Sequence, residues 1–529
     1  MKLVYGKGYL FCIFVSFILA SGVAFGANTL NVPGEYATIQ DAIDAATTSD
    51  TVLVADGTYL LGIGREYFDF KGKAITVKSE NGPENCIIDC QNNGSGFYFQ
   101  SEEGQASELS GFTVTNASGD GAIVCKSRST PIIKNCILTG NNRGVYCNLA
   151  SPTISNCTIT DNSGSNDGGG VYLYRSSATI TECLISNNTV TEEGGGIYAD
   201  SASPPSINKC IISNNSAADE GGGIYCSDET NITSCIITNN TVNNSGSDGG
   251  GVYCDDSDIT MTNCIIAGNS ANSRGGGVYI FESYNTPTII NCTITANSAS
   301  SGGGISGGSP IIINTIHWGN TPAEISGSSF SSPKVYYSNI QGGFDGTANI
   351  DADPLLGNGY HITAGSPCID AGTEDAGELG KAPDTDVDGT SRPQGSGYDI
   401  GADEALGDNP NNPMANAGPD IVASDQVTLD GSQSFDPDGS IASYQWELRH
   451  RENALYNKTA VGETATVQDL KKGFYDVTLT VTDDTGATGD DDMFFSATGS
   501  PSENYDIDGD GKSGLKEVIR LLQTLTGKP

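Results

Sequence analysis

The stretch Gly221-Gly-Gly-Ile-Tyr-Cys-Ser-Asp-Glu-Thr-Asn-Ile-Thr-Ser-Cys-Ile-Ile-Thr-Asn-Asn240 decides the fold, because versions of it recur along the chain. Gly triplets open at Gly168, Gly194, Gly221, Gly249, Gly275 and Gly302, 26 to 28 residues apart. A fixed period of that size marks a solenoid. A second landmark recurs between triplets, at Cys136, Cys157, Cys183, Cys210, Cys235, Cys264 and Cys292, and Asn pairs such as Asn187-Asn188, Asn214-Asn215 and Asn239-Asn240 close each unit. Each unit therefore reads as a Gly turn, a short strand, a polar turn, a second strand and an Asn corner. No helical periodicity intrudes, and short strands repeated every coil predict a parallel β-helix rather than a sandwich, a propeller or a leucine-rich solenoid.

Strand alternation assigns the faces. In Ile224-Tyr225-Cys226 the Ile and Cys share one face and the Tyr takes the other, and the slot after Tyr elsewhere holds Leu173, Ala199, Cys254 and Ile280, all apolar. That slot is expected inside, as are the second-strand cysteines. Stacked coils lie about 4.8 Å apart, so the cysteines form columns, read either as buried thiols or as occasional disulfides. Outward columns follow from the same register: Tyr146, Tyr172, Tyr198, Tyr225, Tyr253 and Tyr279, and the residue before each triplet, Asp167, Glu193, Glu220 and Asp248, giving way to Arg274. Aromatic rings stack on sugars, and carboxylates accept hydroxyl hydrogen bonds or hold cations. These ten residues are therefore the candidate glycan-binding wall, with simple stabilisation of coil stacking as the alternative.

The rest of the chain is modular. Lys2 and Lys7, an apolar run from Tyr9 to Phe25, and Ala24-Phe25-Gly26 before Ala27 read as a signal peptide over 1–26, so the mature chain is expected outside the cell with no membrane span. Tyr36 to Ala46 puts Ile39, Ala42, Ile43 and Ala46 on one helical face, an expected cap for the first coil. Thr38 to Tyr59, with Ile39-Gln-Asp-Ala-Ile-Asp44 and Asp56-Gly-Thr-Tyr59, resembles the entry of pectin-lyase-like β-helix proteins. The Gly-Gly-Gly-Val/Ile-Tyr units resemble right-handed β-helix repeats of bacterial surface proteins. Ile350-Asp-Ala-Asp-Pro-Leu355, Ser366-Pro-Cys-Ile-Asp-Ala-Gly372 and Asp399-Ile-Gly-Ala-Asp403 resemble the terminal coils of the same group. The resemblance implies a mainly β chain with a right-handed parallel β-helix over 27–405.

After a Pro- and Asn-rich linker at 406–413, residues 414–497 resemble the polycystic-kidney-disease-type immunoglobulin-like sandwich: Ala415-Asn-Ala-Gly-Pro-Asp420, Leu429-Asp-Gly-Ser432, Asp436-Pro-Asp-Gly-Ser440, Tyr444-Gln-Trp446 and Tyr475 to Asp483 carry the likeness, with Trp446 as the expected core aromatic. A second linker, 498–504, precedes 505–529. There Asp506, Asp508 and Asp510 supply hard oxygens, Gly511 the sharp turn, Lys512 a carbonyl, Gly514 room for water and Glu517 a closing bidentate carboxylate. That is the spacing of an EF-hand calcium loop. With one loop instead of two, it resembles half of a dockerin, which implies calcium and a cohesin-like partner.

Composition narrows the chemistry. With 64 acidic against 25 basic side chains and a formal net charge of −39, nucleic acid is a poor partner, while divalent cations, neutral polysaccharide or a cell-surface protein suit the field. Pectin-lyase-like lyases use carboxylate-held calcium with an Arg or Lys base, and the hydrolases use clustered Asp with Gly-His-Gly and Arg-x-Lys. Neither set occurs. The three histidines, His317, His361 and His450, lack those neighbours, Arg449-His-Arg451 falls in the sandwich, and the paired Asp255-Asp256 reads as a solvated turn. Only Arg175 and Arg274 lie near the wall as candidate bases, and an Arg is normally protonated. The expectation is a secreted or surface scaffold that binds polysaccharide or a partner, with a polysaccharide lyase or glycoside hydrolase as the alternative.

Overall fold

The structure, a computed structural model, describes residues 27–497 apart from 62–65, 201–203, 228, 256–257, 282–285, 328–331, 364, 406–412, 414, 419–420, 424, 437–438, 451–453 and 472. The signal-peptide segment and the calcium loop at 505–529 lie outside the described residues.

Residues 29–340 wind through three parallel sheets of 13, 11 and 12 strands, with a four-stranded ribbon added in the middle coils. One coil runs from Val252–Cys254 in the tyrosine-bearing sheet, through Thr260–Thr262, to Ile265–Ala267. Register is maintained from coil to coil. Ile154, Ile180, Ile207, Ile232, Met261, Ile289 and Ile312 pair in one interior row. Ile159, Ile185, Ile212, Ile237, Ile266 and Ile294 form a second, and all of these are 0% exposed. Each such side chain contributes about 1.5–3 kcal/mol by leaving water, so the solenoid is held by apolar rows running along its axis. The second row continues into His317.

Two corners make the coil possible. Immediately before each cysteine of the column the backbone is left-handed, at Asn135, Asn156, Glu182, Lys209, Ser234, Asn263 and Asn291, the conformation Asn tolerates best after Gly. At the closing corner, Asn187, Asn214 and Asn239 are left-handed (φ 55°, 56° and 56°), while their successors turn inward. Asn141, Asn162, Asn188, Asn215, Asn240, Asn269, Asn297 and Asn320 form a buried ladder. Each Nδ2 donates both to a carbonyl of the preceding coil and to a side-chain oxygen of the next, as in Asn215 to the Ile185 carbonyl at 2.9 Å and to Asn240 Oδ1 at 3.0 Å. The Gly triplet packs against this ladder. Gly221 has φ +68°, and a Cβ on Gly222 would lie 2.5 Å from the Thr241 carbonyl oxygen, so no side chain fits.

The cysteine columns are interior, as expected, and the thiols are free. Cys210 Sγ donates to the Asn208 carbonyl at 3.2 Å, and burial pushes the Cys86 and Cys90 thiols up to about 12. The N-terminal cap also forms. Helix Ile39–Ala45 starts at Thr38, whose hydroxyl accepts from Asp41 N, and it buries Ile39, Ala42 and Ile43. Among the described residues no helix is long and apolar enough to cross a membrane.

The stretch resembling terminal coils departs from that expectation. After Asn339–Ile340, the last strand of the solenoid, the described residues of 341–405 add isolated bridges and two short 3-10 turns, Asn358–Tyr360 and Gly377–Leu379, and double back over the third sheet. Asn263 donates to the Thr385 carbonyl, Asn314 to that of Thr373, and Gly401 N to the Asn314 carbonyl. Val387 and Ala402 pack on Ile265 and Ala267. The left-handed corner residues thus offer side-chain amides that hold the tail. The tail is pinned by a fully buried Arg392–Glu404 ion pair at 2.7 Å.

Residues 421–497 form a separate unit with a five-stranded and a two-stranded sheet. Trp446 is its fully buried core aromatic, with Nε1 donating to the Gly462 carbonyl at 3.0 Å, and Tyr475 OH accepts from Lys471 N at 3.0 Å.

Candidate functional site

Register brings the outward columns together as the sequence implies. Tyr146, Tyr172, Tyr198, Tyr225, Tyr253 and Tyr279 are successive partners across the second sheet. Their rings stack with centroids 5.1, 5.1, 4.9, 5.3 and 5.3 Å apart, nearly parallel through Tyr253 and tilted by 35° at the last step. Stacked at coil spacing, the ring faces are occupied by one another. Tyr225, Tyr253 and Tyr279 are only 8%, 8% and 1% exposed. Sugar rings therefore have no aromatic face to lie on; the wall presents hydroxyl edges. The ladder also stabilises the solenoid, at about 0.5–1.5 kcal/mol per pair beyond area burial.

The acidic column flanks this ladder. Coil stacking runs through Gly168 N to the Glu193 carbonyl, Gly194 N to Glu220 and Gly221 N to Asp248, and Asp167 Oδ1 accepts from Glu193 N at 3.1 Å. Asp200 ends the strand that carries Tyr198 and Asp255 follows directly on the strand that carries Tyr253, and Asp255 accepts the Tyr225 hydroxyl at 3.1 Å; Asp256 lies outside the described residues. Burial, together with Asp167, Glu220, Asp219 and Asp255, pushes the Glu193 carboxyl up to about 7. Glu220 is raised for the same reasons, burial and then Asp219. Burial and the neighbouring Tyr146 and Asp167 push Tyr172 up to about 12. The column ends in a cation: Arg274 clamps the buried Asp248, Nη2 to Oδ2 at 2.6 Å and Nε to Oδ1 at 3.2 Å. That pairing raises the Arg274 guanidinium further, so it is no proton acceptor. Arg175 is exposed and lies against Tyr174.

The histidines sort differently. His317 is fully buried in the interior row with neither ring nitrogen hydrogen-bonded, and burial pushes it down to about 3. His450 packs edge-on against Tyr475 in the sandwich. The sequence does not single out His361, because its neighbours there carry no motif. In the tail, its Nδ1 lies 3.2 Å from Asp403 Oδ1 and 3.5 Å from Asp388 Oδ2. Its only signal in the sequence is the Asp384-x-Asp386-x-Asp388-Gly389 run.

Comparison with known proteins agrees with the two architectures. Residues 64–180 and 122–273 match the family described as right handed beta helix region, and residues 415–495 match a family described as PKD domain. The chain thus carries a right-handed β-helix followed by a PKD-type domain. A curated relative, the Dyslexia-associated protein KIAA0319-like protein of Mus musculus, is 41% identical over 75 residues, 14% of this chain. The match spans 7% of that relative's length. Among solved structures, pectate lyase Pel9A aligns with TM-score 0.41 and 16% identity over 71% of this chain and 96% of its own. The Azotobacter vinelandii mannuronan C-5 epimerase AlgE6 A-module aligns with TM-score 0.35 and 13% identity over 60% and 94%.

Proposed function

We propose that the chain is a secreted or cell-surface scaffold whose β-helix binds extended polysaccharide along the acidic strip, without turning it over. One observation carries the reading: Glu193 is half-buried beside Asp167, Glu220, Asp219 and Asp255, and burial first and then those neighbours hold its carboxyl up at about 7, while the cation at the end of the row is committed to Asp248. A row of crowded carboxylates, bordered by tyrosine hydroxyl edges, gains from hydroxyl donors or from a bridging divalent cation. A long glycan supplies the former at regular intervals. The tyrosines act here through their hydroxyls and as the rigid floor.

At the C-terminus, Asp506, Asp508, Asp510, Lys512 and Glu517 bind calcium, and segment 505–529 serves as an attachment unit for a cohesin-like surface partner. The chain's acidity keeps nucleic acid away.

A second reading has its own support. A carboxyl raised to about 7 in a crowd of other carboxyl groups is the environment of a general acid, which suits a glycoside hydrolase. Incubating the full mature chain with plant, algal and bacterial polysaccharides, with calcium and with a chelator, separates the readings. Retention without new reducing or unsaturated ends supports the scaffold; new ends that vanish in Glu193→Gln overturn it in favour of the enzyme.

A further inference from the structure

We propose that His361, Asp388 and Asp403 form a zinc-class metal centre that clips the doubled-back tail. Their side chains are 6%, 7% and 9% exposed, and their ligand atoms all lie within 4.8 Å of one another. The buried His361 Nδ1 faces Asp403 Oδ1 at 3.2 Å and Asp388 Oδ2 at 3.5 Å, both inside ion-pair range, without the alignment of a regular hydrogen bond to either. An imidazole nitrogen aimed between two carboxylates offers one nitrogen and two oxygen donors converging on a single point, the donor arrangement of a small metal site. The two separations from Nδ1 agree with this: a tetrahedral ion with bonds of about 2.0–2.1 Å keeps its ligands about 3.3–3.4 Å apart.

The surroundings orient each ligand. Asp403 Oδ2 accepts from Ile362 N at 2.8 Å, which turns Oδ1 toward His361. Asp386 Oδ1 accepts from the backbone N–H groups of Asp388, Gly389 and Thr390 at 3.0, 2.8 and 2.7 Å, fixing the loop that carries Asp388. Val387 N donates to the Ala402 carbonyl at 3.0 Å, which sets Asp388 beside Asp403. These are the supporting contacts that hold metal ligands in place.

The donor set selects the ion. One imidazole and two carboxylates suit zinc or its first-row neighbours, whereas calcium takes six to eight oxygens. The Asp384-Asp386-Asp388 run is no calcium loop, because Asp384 is exposed beside Lys381 and Asp386 is spent on backbone N–H groups. The three protein ligands leave a fourth position for water.

The full mature chain, stripped by chelator and held in excess calcium to fill the C-terminal loop, is titrated with Zn2+ and, separately, with Co2+. The expected result is one equivalent bound at micromolar concentration or below. Co2+ should give the strong visible absorption of a tetrahedral site without a thiolate charge-transfer band, and Zn2+ should protect the tail, residues 351–405, from proteolysis. His361→Gln and Asp403→Asn should each weaken binding at least 100-fold. Absence of stoichiometric uptake by the unmodified chain overturns the proposal, leaving a histidine–carboxylate ion pair; so does a thiolate band, or uptake unchanged in both variants.

Discussion

Replacing Asn215 by Ala tests how the coils are held in register. Asn215 sits mid-ladder, 0% exposed. Its Nδ2 donates to the Ile185 carbonyl and Asn240 Oδ1, and its Oδ1 accepts from Asn188 N and Nδ2, both at 3.0 Å. Truncation leaves the Asn188 amide and one of its side-chain hydrogens without acceptors in a dry interior. Each buried orphan costs about 1–3 kcal/mol, so the expected loss is roughly 2–6 kcal/mol. The exposed Asn243, whose Nδ2 reaches Ser216 Oγ and the Ala217 carbonyl, is the control: Asn243→Ala should change stability by no more than about 0.5 kcal/mol. The chain has two tryptophans, Trp318 in the β-helix and Trp446 in the sandwich. In a Trp446→Phe background, denaturant unfolding followed by fluorescence therefore reports the solenoid alone, which matters because a two-unit chain is not two-state. Hydrogen exchange should accelerate at Asn188 and its neighbours before distant coils open, as nearest-neighbour coupling requires. An Asn215→Ala chain within about 1 kcal/mol of the parent, or no worse than Asn243→Ala, would refute the ladder as a main determinant of register.

Three other outcomes follow from the same reasoning. His317 is held neutral, near 3 against 6.5 unfolded, so the unfolded state binds more protons between those values and stability falls as pH drops below about 6.5, by at most roughly 5 kcal/mol; His317→Leu should flatten that limb in acid melts and add about 1–3 kcal/mol at neutrality. Glu193 shifts the other way, from 4.5 to about 7, so the native state binds the proton more tightly and stability falls as pH rises between those values. After discounting for partial exposure, Glu193→Gln should gain about 1–2 kcal/mol at pH 8 and nothing at pH 4, read by thermal denaturation. Arg392→Met strands the buried Glu404 and should cost about 3–5 kcal/mol, measured by proteolysis of the tail.

Much of the solenoid was legible because its constraints repeat. Each Gly triplet marks a place where the backbone of the next coil touches, each Asn pair a left-handed corner plus an inward amide, and each Ile-Tyr-Cys run an alternating strand. What repetition does not encode was missed. The tyrosine column is in the register that the strand pattern implies, but its ring faces are consumed at coil spacing, a consequence of distance that a one-dimensional pattern leaves out. His317 occupies an apolar row position that only the register identifies. The His361 cluster draws on three tail segments whose meeting depends on the Arg392–Glu404 pair and on the fold-back over Asn263 and Asn314. Sequence spacing carries no trace of that path. Nor does it show that Arg274, a candidate base by position, spends its guanidinium on a bidentate hold of Asp248.

The most direct test of the binding strip is the affinity of the full mature chain for the polysaccharide it retains best, measured beside a Glu193→Gln, Glu220→Gln, Asp255→Asn variant whose circular dichroism matches the parent. The account predicts at least a 10-fold weaker Kd for the variant, with no new chain ends from either protein. Equal affinity in parent and variant would contradict it and move recognition off the acidic strip.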